Sequence, residues 1–387
     1  PRKEHKWFSE TKGIPWISIA DMGKTGKYIS KTKEYLSEEA VKKFKIPIIK
    51  KDTIILSFKM TVGRVSITES EMLSNEAIAH LNNCKIETEF LYYYLRQFNF
   101  SSLSSTSSIV KSAVNSKILK EIPVLFPEKR ETQRKIANFI SQFDEKIELN
   151  QKMNETLEEI AKTLFKSWFI DFDPVRAKTE GRSTGLSKEI SDLFPDSFED
   201  SELGEMPRGW RIESLSKITS FKNGFAFKSK DWTESGKPVV KIGNVKPLIL
   251  DIEGCSFISD DLKKYDEYLL SKGDILIGMT GYVGETCLVP KLKKMPYQNQ
   301  RVGKLIPTKD FFKEFLFSFT RQSSFKRKVE EIAQGSAQQN VSGAGILEIK
   351  FINSSNELIK QFSGITSALF EKILFNYEEN LILTELR

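Results

Sequence analysis

Residues 136–168 read IANFISQFDEKIELNQKMNETLEEIAKTLFKSW. Apolar side chains recur there in alternating steps of four and three: Ile136, Ile140, Phe143, Ile147, then Leu157, Ala161, Leu164 and Trp168. Asn150 and Asn154 fill the two places in the stripe where apolar residues fall due. A 4-3 spacing held over four heptads is the seam of a coiled coil, and the Glu, Lys and Gln on the other faces favour helix. The stripe returns 226 residues later as Phe362, Thr366, Leu369, Ile373, Asn376, Asn380 and Leu383. Both asparagines recur in the same register, so the chain carries an internal duplication.

The regions upstream of the two helices repeat as well. Gly13-Ile14-Pro15 answers Gly236-Lys237-Pro238, and LSEEAVKKF (Leu36–Phe44) answers ISDDLKKY (Ile258–Tyr265). KDTIILSFKMTVG (Lys51–Gly63) answers KGDILIGMTGYVG (Lys272–Gly284), and Phe90, Leu91 and Arg96 answer Phe315, Leu316 and Arg321. Residues 209 to about 224 have no such partner upstream. In the first unit, Trp16–Ile19, Ile54–Ser57, Arg64–Ile67 and Ile122–Phe126 read as strands, Phe90–Phe98 as helix, and 101–116 as a Ser/Thr-rich loop. The expected order is a mixed α/β unit over 1–130, a spacer helix over 131–168, an acidic connector over 169–208, a second mixed unit over 209–355 and a second helix over 356–387. Thr132 is the expected N-cap of the first helix, and Asp173-Pro174 closes it. The fold class is α+β, two mixed α/β units with two long helices in a pseudo-two-fold arrangement.

Composition bounds the function. Three cysteines (Cys84, Cys255, Cys287) in 387 residues, without metal-ligand spacing, favour a reducing cytoplasm over a disulfide framework. The opening PRKEHKWF is no signal peptide, and no apolar run reaches membrane-spanning length. Net charge is +7, yet residues 169–208 hold ten acidic against five basic side chains, so the remainder is more basic still. That balance suits a polyanionic partner such as double-stranded DNA.

No catalytic constellation stands out. His5 and His80 are the only histidines, too few for a His-based metal site, and neither neighbours a nucleophile motif. Gly278, Gly281 and Gly284 lack the Lys-Ser/Thr of a phosphate loop and read better as a tight hairpin. Asp171-Phe172-Asp173-Pro174 lacks the aromatic of an amino-methyltransferase tetrad. Glu348-Ile349-Lys350 has a spacing seen in metal-dependent nucleases, a pattern frequent in a chain this charged. No metal ligands and no catalytic residues are assigned. What remains is binding. Lys59, Met60, Thr61 and Arg64 lie at the first hairpin tip; Thr280, Tyr282 and Glu285 lie at the second. With Asn299, Gln300 and Arg301 these residue types can read base edges, because Arg matches guanine and Asn or Gln matches adenine. Lys222, Lys228, Lys230, Lys291, Lys293 and Lys294 suit phosphates, and the Ser/Thr/Gln loops at 101–116, with Lys111, and at 334–342 are further DNA-binding candidates.

The seam also constrains geometry. Pairing positions whose numbers sum to 530 sets Asn150 against Asn380 and Asn154 against Asn376. It also sets Ile147 against Leu383, Leu157 against Ile373, Ala161 against Leu369 and Trp168 against Phe362. Amide then meets amide and apolar meets apolar, which favours an antiparallel pair, although a parallel one also matches asparagines. Thirty helical residues at about 1.5 Å each make a spacer of roughly 45 Å, against about 34 Å for one turn of DNA.

With that architecture in view, the chain resembles the specificity subunit of type I restriction–modification systems. The residues that carry the likeness are Leu149–Lys178, Phe194–Trp210, Gly13–Met22, the KGDIL…VG hairpin and GSAQQNVS (Gly335–Ser342). The first unit departs from the pattern by opening without a GW segment and by reading SSTSSIVKS (Ser104–Ser112) where GSAQ stands in the second. The resemblance implies two target recognition domains, two helical spacers forming an antiparallel coiled coil, and no catalysis in this chain. It implies double-stranded DNA, two methyltransferase subunits and restriction subunits as partners, with S-adenosylmethionine, ATP and Mg²⁺ belonging to those partners. The competing readings are a stand-alone metal-dependent nuclease using Glu348 and Lys350, and a coiled-coil scaffold that never meets DNA.

Overall fold

The 4-3 stripe does become helix. In the computed structural model, which describes residues 4–82, 85–100, 116–260, 263–334 and 340–387, Arg130–Phe169 and Asn356–Leu386 are the two longest helices. Thr132 falls inside the first turn rather than at its cap. The second helix starts as its sequence suggests: the Ser355 hydroxyl accepts from the Leu358 N–H at 3.2 Å. The chain divides into two compact units, 1–144 and 145–387, and the division falls within the first long helix.

Unit 1 holds two four-stranded sheets. One runs, in spatial order, Phe8–Ser9, Glu34–Leu36, Ile14–Ile17, Leu73–Ser74; the other runs Tyr28–Ile29, Val65–Thr68, Ile54–Ser57, Ile78–Leu81. Unit 2 repeats both. Trp232–Thr233, Ser256–Ile258, Lys237–Val240 and Tyr297–Gln298 reproduce the first sheet; Leu248–Ile249, Thr286–Leu288, Ile275–Gly278 and Val302–Pro307 reproduce the second. Strand directions agree throughout: Trp16↔Leu73 and Val239↔Tyr297 are parallel pairs, Ile54↔Ile67 and Ile275↔Leu288 antiparallel. Unit 2 adds Thr219–Asn223 at the edge of its second sheet, from the segment that lacks a partner in the sequence.

Gly13 and Gly236 show why the repeat keeps glycine at one turn. Both have positive φ, 120° and 140°. A Cβ would lie 2.4 Å from the Leu36 carbonyl oxygen in the first and 2.0 Å from that of Ile258 in the second. Gly236→Ala therefore meets backbone as well as a disfavoured conformation, and should lower stability by about 2–3 kcal/mol in urea unfolding. An unchanged midpoint would remove this account of the turn.

Two expectations change. Ile122–Phe126 lies along the unit 1 core, with Ile122 and Val124 packed against it, but joins no strand ladder among the described residues. Tyr94 takes those backbone bonds instead: its hydroxyl donates to the Pro123 carbonyl at 3.1 Å and accepts from the Leu125 N–H at 3.4 Å. The acidic stretch 169–208 is also more than a connector. It forms the helices Asp173–Thr179 and Lys188–Ser191 and the hairpin Phe198–Ser201 with Gly204–Pro207. Its few aromatics explain this. Phe169, Phe172 and Phe194 are buried with Trp168, Trp210, Phe315 and Phe362 in the main core of unit 2, with Trp168 edge-on to Phe194 at 5.3 Å. Most of the acids stay outside, so composition alone hid an ordered segment.

Candidate nucleic-acid interface

Within unit 2 the end of the first long helix pairs antiparallel with the C-terminal helix, in the register set by the asparagines. Asn150 Nδ2 donates to Asn380 Oδ1 and Asn376 Nδ2 donates to Asn154 Oδ1, each at 2.8 Å. Asn154 Nδ2 also donates to the Ile373 carbonyl at 3.1 Å, and Asn380 Nδ2 to that of Ile147 at 3.4 Å. These bonds are two symmetric pairs: moving either helix by 226 residues turns one into the other. Leu157, Leu164 and Leu369 pack with Ala161 and Ile373, and Trp168 meets Phe362 at 6.0 Å between ring centroids. Leu383 and Ile147 are half-buried. Asn150 also donates to Glu379 at 2.7 Å and Lys146 pairs with the same carboxylate at 3.2 Å; the Asn150 bond first, then Lys146, holds the Glu379 carboxyl below its usual range.

The early part of the stripe behaves differently. Ile140 packs on the unit 1 core beside Ala137, Phe143 stacks edge-on with Phe139 at 5.2 Å, and Ile136 is exposed. A one-residue step from Ile136 to Ala137 turns the buried face of this part of the helix toward the unit 1 core.

The hairpin residues separate into tips and ties. Lys59 and Thr61 are exposed at the first tip, and Met60 is 78% exposed. Arg64 is a tie: its guanidinium donates to the Ile19 carbonyl and lies against Gly23, so it braces the hairpin instead of projecting from it. Lys111 falls outside the described residues, as does most of the 335–342 loop. In unit 2, Tyr282 is 56% exposed at the tip with Lys246 Nζ 5.1 Å from its ring centroid. Thr280 bonds the Asn340 side chain. The Met279 N–H donates to the Arg301 carbonyl at 3.2 Å, and the Val341 N–H to the Met279 carbonyl at 3.1 Å. Tip, turn 299–301 and residues 340–341 therefore form one surface, with Gln300 and Arg301 exposed and Asn299 half-buried.

Several proposed phosphate ligands have carboxylate or carbonyl partners. Lys222 donates to the Glu267 carbonyl and lies over Tyr268. Lys293 pairs with Glu385 on the C-terminal helix, Lys294 with Asp260. The Lys291 N–H bonds Glu378 at 2.8 Å, and Lys272 pairs with Glu378 and Glu371. Glu371, Glu378 and Glu385 recur every seven residues and give one helix face an acidic edge for these lysines. Lys228 and Lys230 are exposed.

Glu285 is buried, not a tip residue. Arg321 bonds it at 2.6 Å and Lys326 at 2.9 Å, while the Arg321 Nε also holds Glu158 of the long helix at 2.8 Å. Burial raises the Glu285 carboxyl, but Lys326 and Arg321 outweigh that and hold it below the usual range. Sequence reading missed this network, and also missed Lys246 and Asn340 as neighbours of the tip; no local spacing joins residues so far apart. Lys350 pairs with Glu202 at 2.6 Å, and Glu348 is exposed at a helix end.

A duplicated α/β protein with a polar loop surface on a hairpin, and a helix pair joined by amides, has the build of a binding protein. The profile of the type I restriction modification DNA specificity domain matches residues 1–159 and 207–353, and the chain belongs to that family. It is similar to the type I restriction enzyme MjaIX specificity subunit of Methanocaldococcus jannaschii, 26% identical over 385 residues, covering 97% of this chain and 84% of the relative. It is also similar to the HindI specificity subunit of Haemophilus influenzae, 29% identical over 313 residues, covering 67% and 65%. The crystal structure of a type I system S subunit from M. genitalium shares the fold, with a TM-score of 0.51 at 18% identity over 99% of this chain and 88% of that one. As a member, the chain recognises DNA sequence and is not itself a catalyst; its partners are DNA and the other subunits of such a system. Among the described residues, no helix is long and apolar enough to cross a membrane.

Proposed function

We propose that the chain reads an asymmetric, bipartite duplex target, each repeat unit taking one half-site and the paired helices acting as a ruler for the unread gap. The observation that carries this reading is the duplication of two four-stranded sheets with unlike tips: those eight strands recur in the same order, while Lys59-Met60-Thr61 stands opposite Thr280-Gly281-Tyr282. Equal scaffolds with different side chains suit two different half-sites joined by a fixed spacing. Lys59, Met60, Thr61, Tyr282, Gln300 and Arg301 face the bases; Arg64, Thr280 and Asn299 set their positions; Lys228 and Lys230 take phosphates. In the cytoplasm the chain holds two methyltransferase subunits and, in the full complex, restriction subunits. S-adenosylmethionine, ATP and Mg²⁺ are bound by those partners, not by this chain.

Methylation sequencing of a host carrying the system is the direct test. The expected result is one modified motif with two unlike half-sites and a constant gap. A palindromic motif, or modification without a gap, would sink the two-reader account. Purified chain that cuts plasmid with Mg²⁺ alone would revive the nuclease reading, and equal retention of all duplexes by the assembled complex would revive the scaffold.

A further inference from the structure

The two hairpin tips share a backbone and differ at one telling position. Aligned by the repeat, Met60 stands where Gly281 stands, and both are left-handed, with φ of 63° and 71°. Glycine takes that conformation freely, whereas methionine takes it at a strain. The side chain gives nothing back to the core, because most of it is in solvent. A Cβ at Gly281 would meet nothing within 4 Å, so space does not explain the difference.

The surroundings hold the strained tip in place. Ser57 is fully buried; its hydroxyl donates to the Thr61 carbonyl and accepts from the Arg64 N–H at 3.0 Å. The Ser57 carbonyl accepts from the Gly63 N–H at 2.9 Å, its N–H donates to the Arg64 carbonyl at 2.9 Å, and Arg64 is anchored on Ile19. Strain persists where neighbours over-determine it, and it collects at working sites. Here it fixes an unbranched, polarisable side chain in the open, between the exposed Lys59 and Thr61.

We propose that Met60 is a wedge that enters between adjacent base pairs of the half-site read by unit 1, while unit 2, with glycine there, leaves its half-site stacked. This rests on the DNA-reading role proposed above. Apolar side chains inserted at a base step unstack and kink a duplex, and pyrimidine–purine steps yield most easily. The unit 1 half-site should therefore contain such a step at the point of insertion.

The test uses the full chain assembled with its methyltransferase subunits and the target duplex found by methylation sequencing, with 2-aminopurine placed in turn at each step of the half-site. The wild-type complex should raise 2-aminopurine fluorescence at one step. Met60→Gly should abolish that rise and weaken binding about tenfold, while Met60→Leu keeps both. The thermal midpoint of Met60→Gly should equal or exceed the wild type, because glycine suits the left-handed backbone. A wild-type complex that binds the target with no step brightening overturns the wedge and leaves the DNA reading standing. So does Met60→Gly bound as tightly as wild type, or a lowered midpoint, which would make Met60 part of the folded core. Failure of the wild type to prefer any duplex overturns the DNA reading itself.

Discussion

Arg321→Ala is expected to destabilise unit 2 by about 3–5 kcal/mol, the largest loss from any single substitution considered. The guanidinium is nearly buried and bridges Glu158 on the long helix to Glu285 beside the hairpin, at 2.8 and 2.6 Å. Deleting it leaves two nearly buried carboxylates, with Lys162 still paired to Glu158 and Lys326 to Glu285 from more exposed positions. Replacing Arg321 together with both glutamates by apolar residues of similar volume should restore most of the loss, because no charge is then left unpaired. The pH dependence follows from the depressed Glu285 carboxyl. Its contribution is complete above the ordinary carboxylate range and disappears as the pH falls through its lowered folded value. Glu285→Gln should flatten the acid limb of a stability profile. Arg321→Ala with a wild-type urea midpoint at neutral pH would sink the argument.

Arg321 also shows where reading the sequence stops. Its position in the repeat, opposite Arg96, was plain from the alignment of the two halves, but its partners are 163 and 36 residues away. Periodic features were legible because they depend on neighbours three, four or seven residues apart: both long helices, the asparagine register and Ile54–Ser57 are where the pattern puts them. Features set by tertiary contact were not. Nothing in Lys291-Leu292-Lys293-Lys294 announces the acidic edge of the C-terminal helix beside it. Tyr94 gives no local sign that it replaces a strand for residues 123–125. The acidic surface of 169–208 outweighs the five aromatics between Phe169 and Trp210 that fold it. The hairpins were legible as hairpins, yet which side chains are tips and which are ties depends on what stands behind them, as Arg64 and Thr280 demonstrate. The bases read lie deeper still, because an exposed tip can change without disturbing the sheet that carries it.

The amide seam permits a sharper test than any single substitution. Asn154→Leu removes the acceptor of Asn376 Nδ2 and leaves that buried donor unpaired, while the Ile373 carbonyl loses a second donor but keeps its own helix bond, at a cost of about 1–3 kcal/mol. The helix itself should persist, since Leu is the better helix former. Asn154→Leu combined with Asn376→Leu should cost less than the sum of the two single changes, with a coupling of about 1–2 kcal/mol, because the second change removes the group that the first left stranded. The wild-type device is itself incomplete: Asn150 Oδ1 and Asn376 Oδ1, equivalent atoms under the 226-residue shift, are buried without a partner among the described residues. A half-satisfied amide ladder adds little stability, so its use is to forbid other registers. The double mutant should accordingly hold its helices but lose their alignment. Spin labels at Lys146 and Glu379, paired at 3.2 Å in the native register, would then report a broadened distance distribution. Strictly additive energies, or an unchanged distance distribution, would mean that the apolar stripe alone sets the alignment.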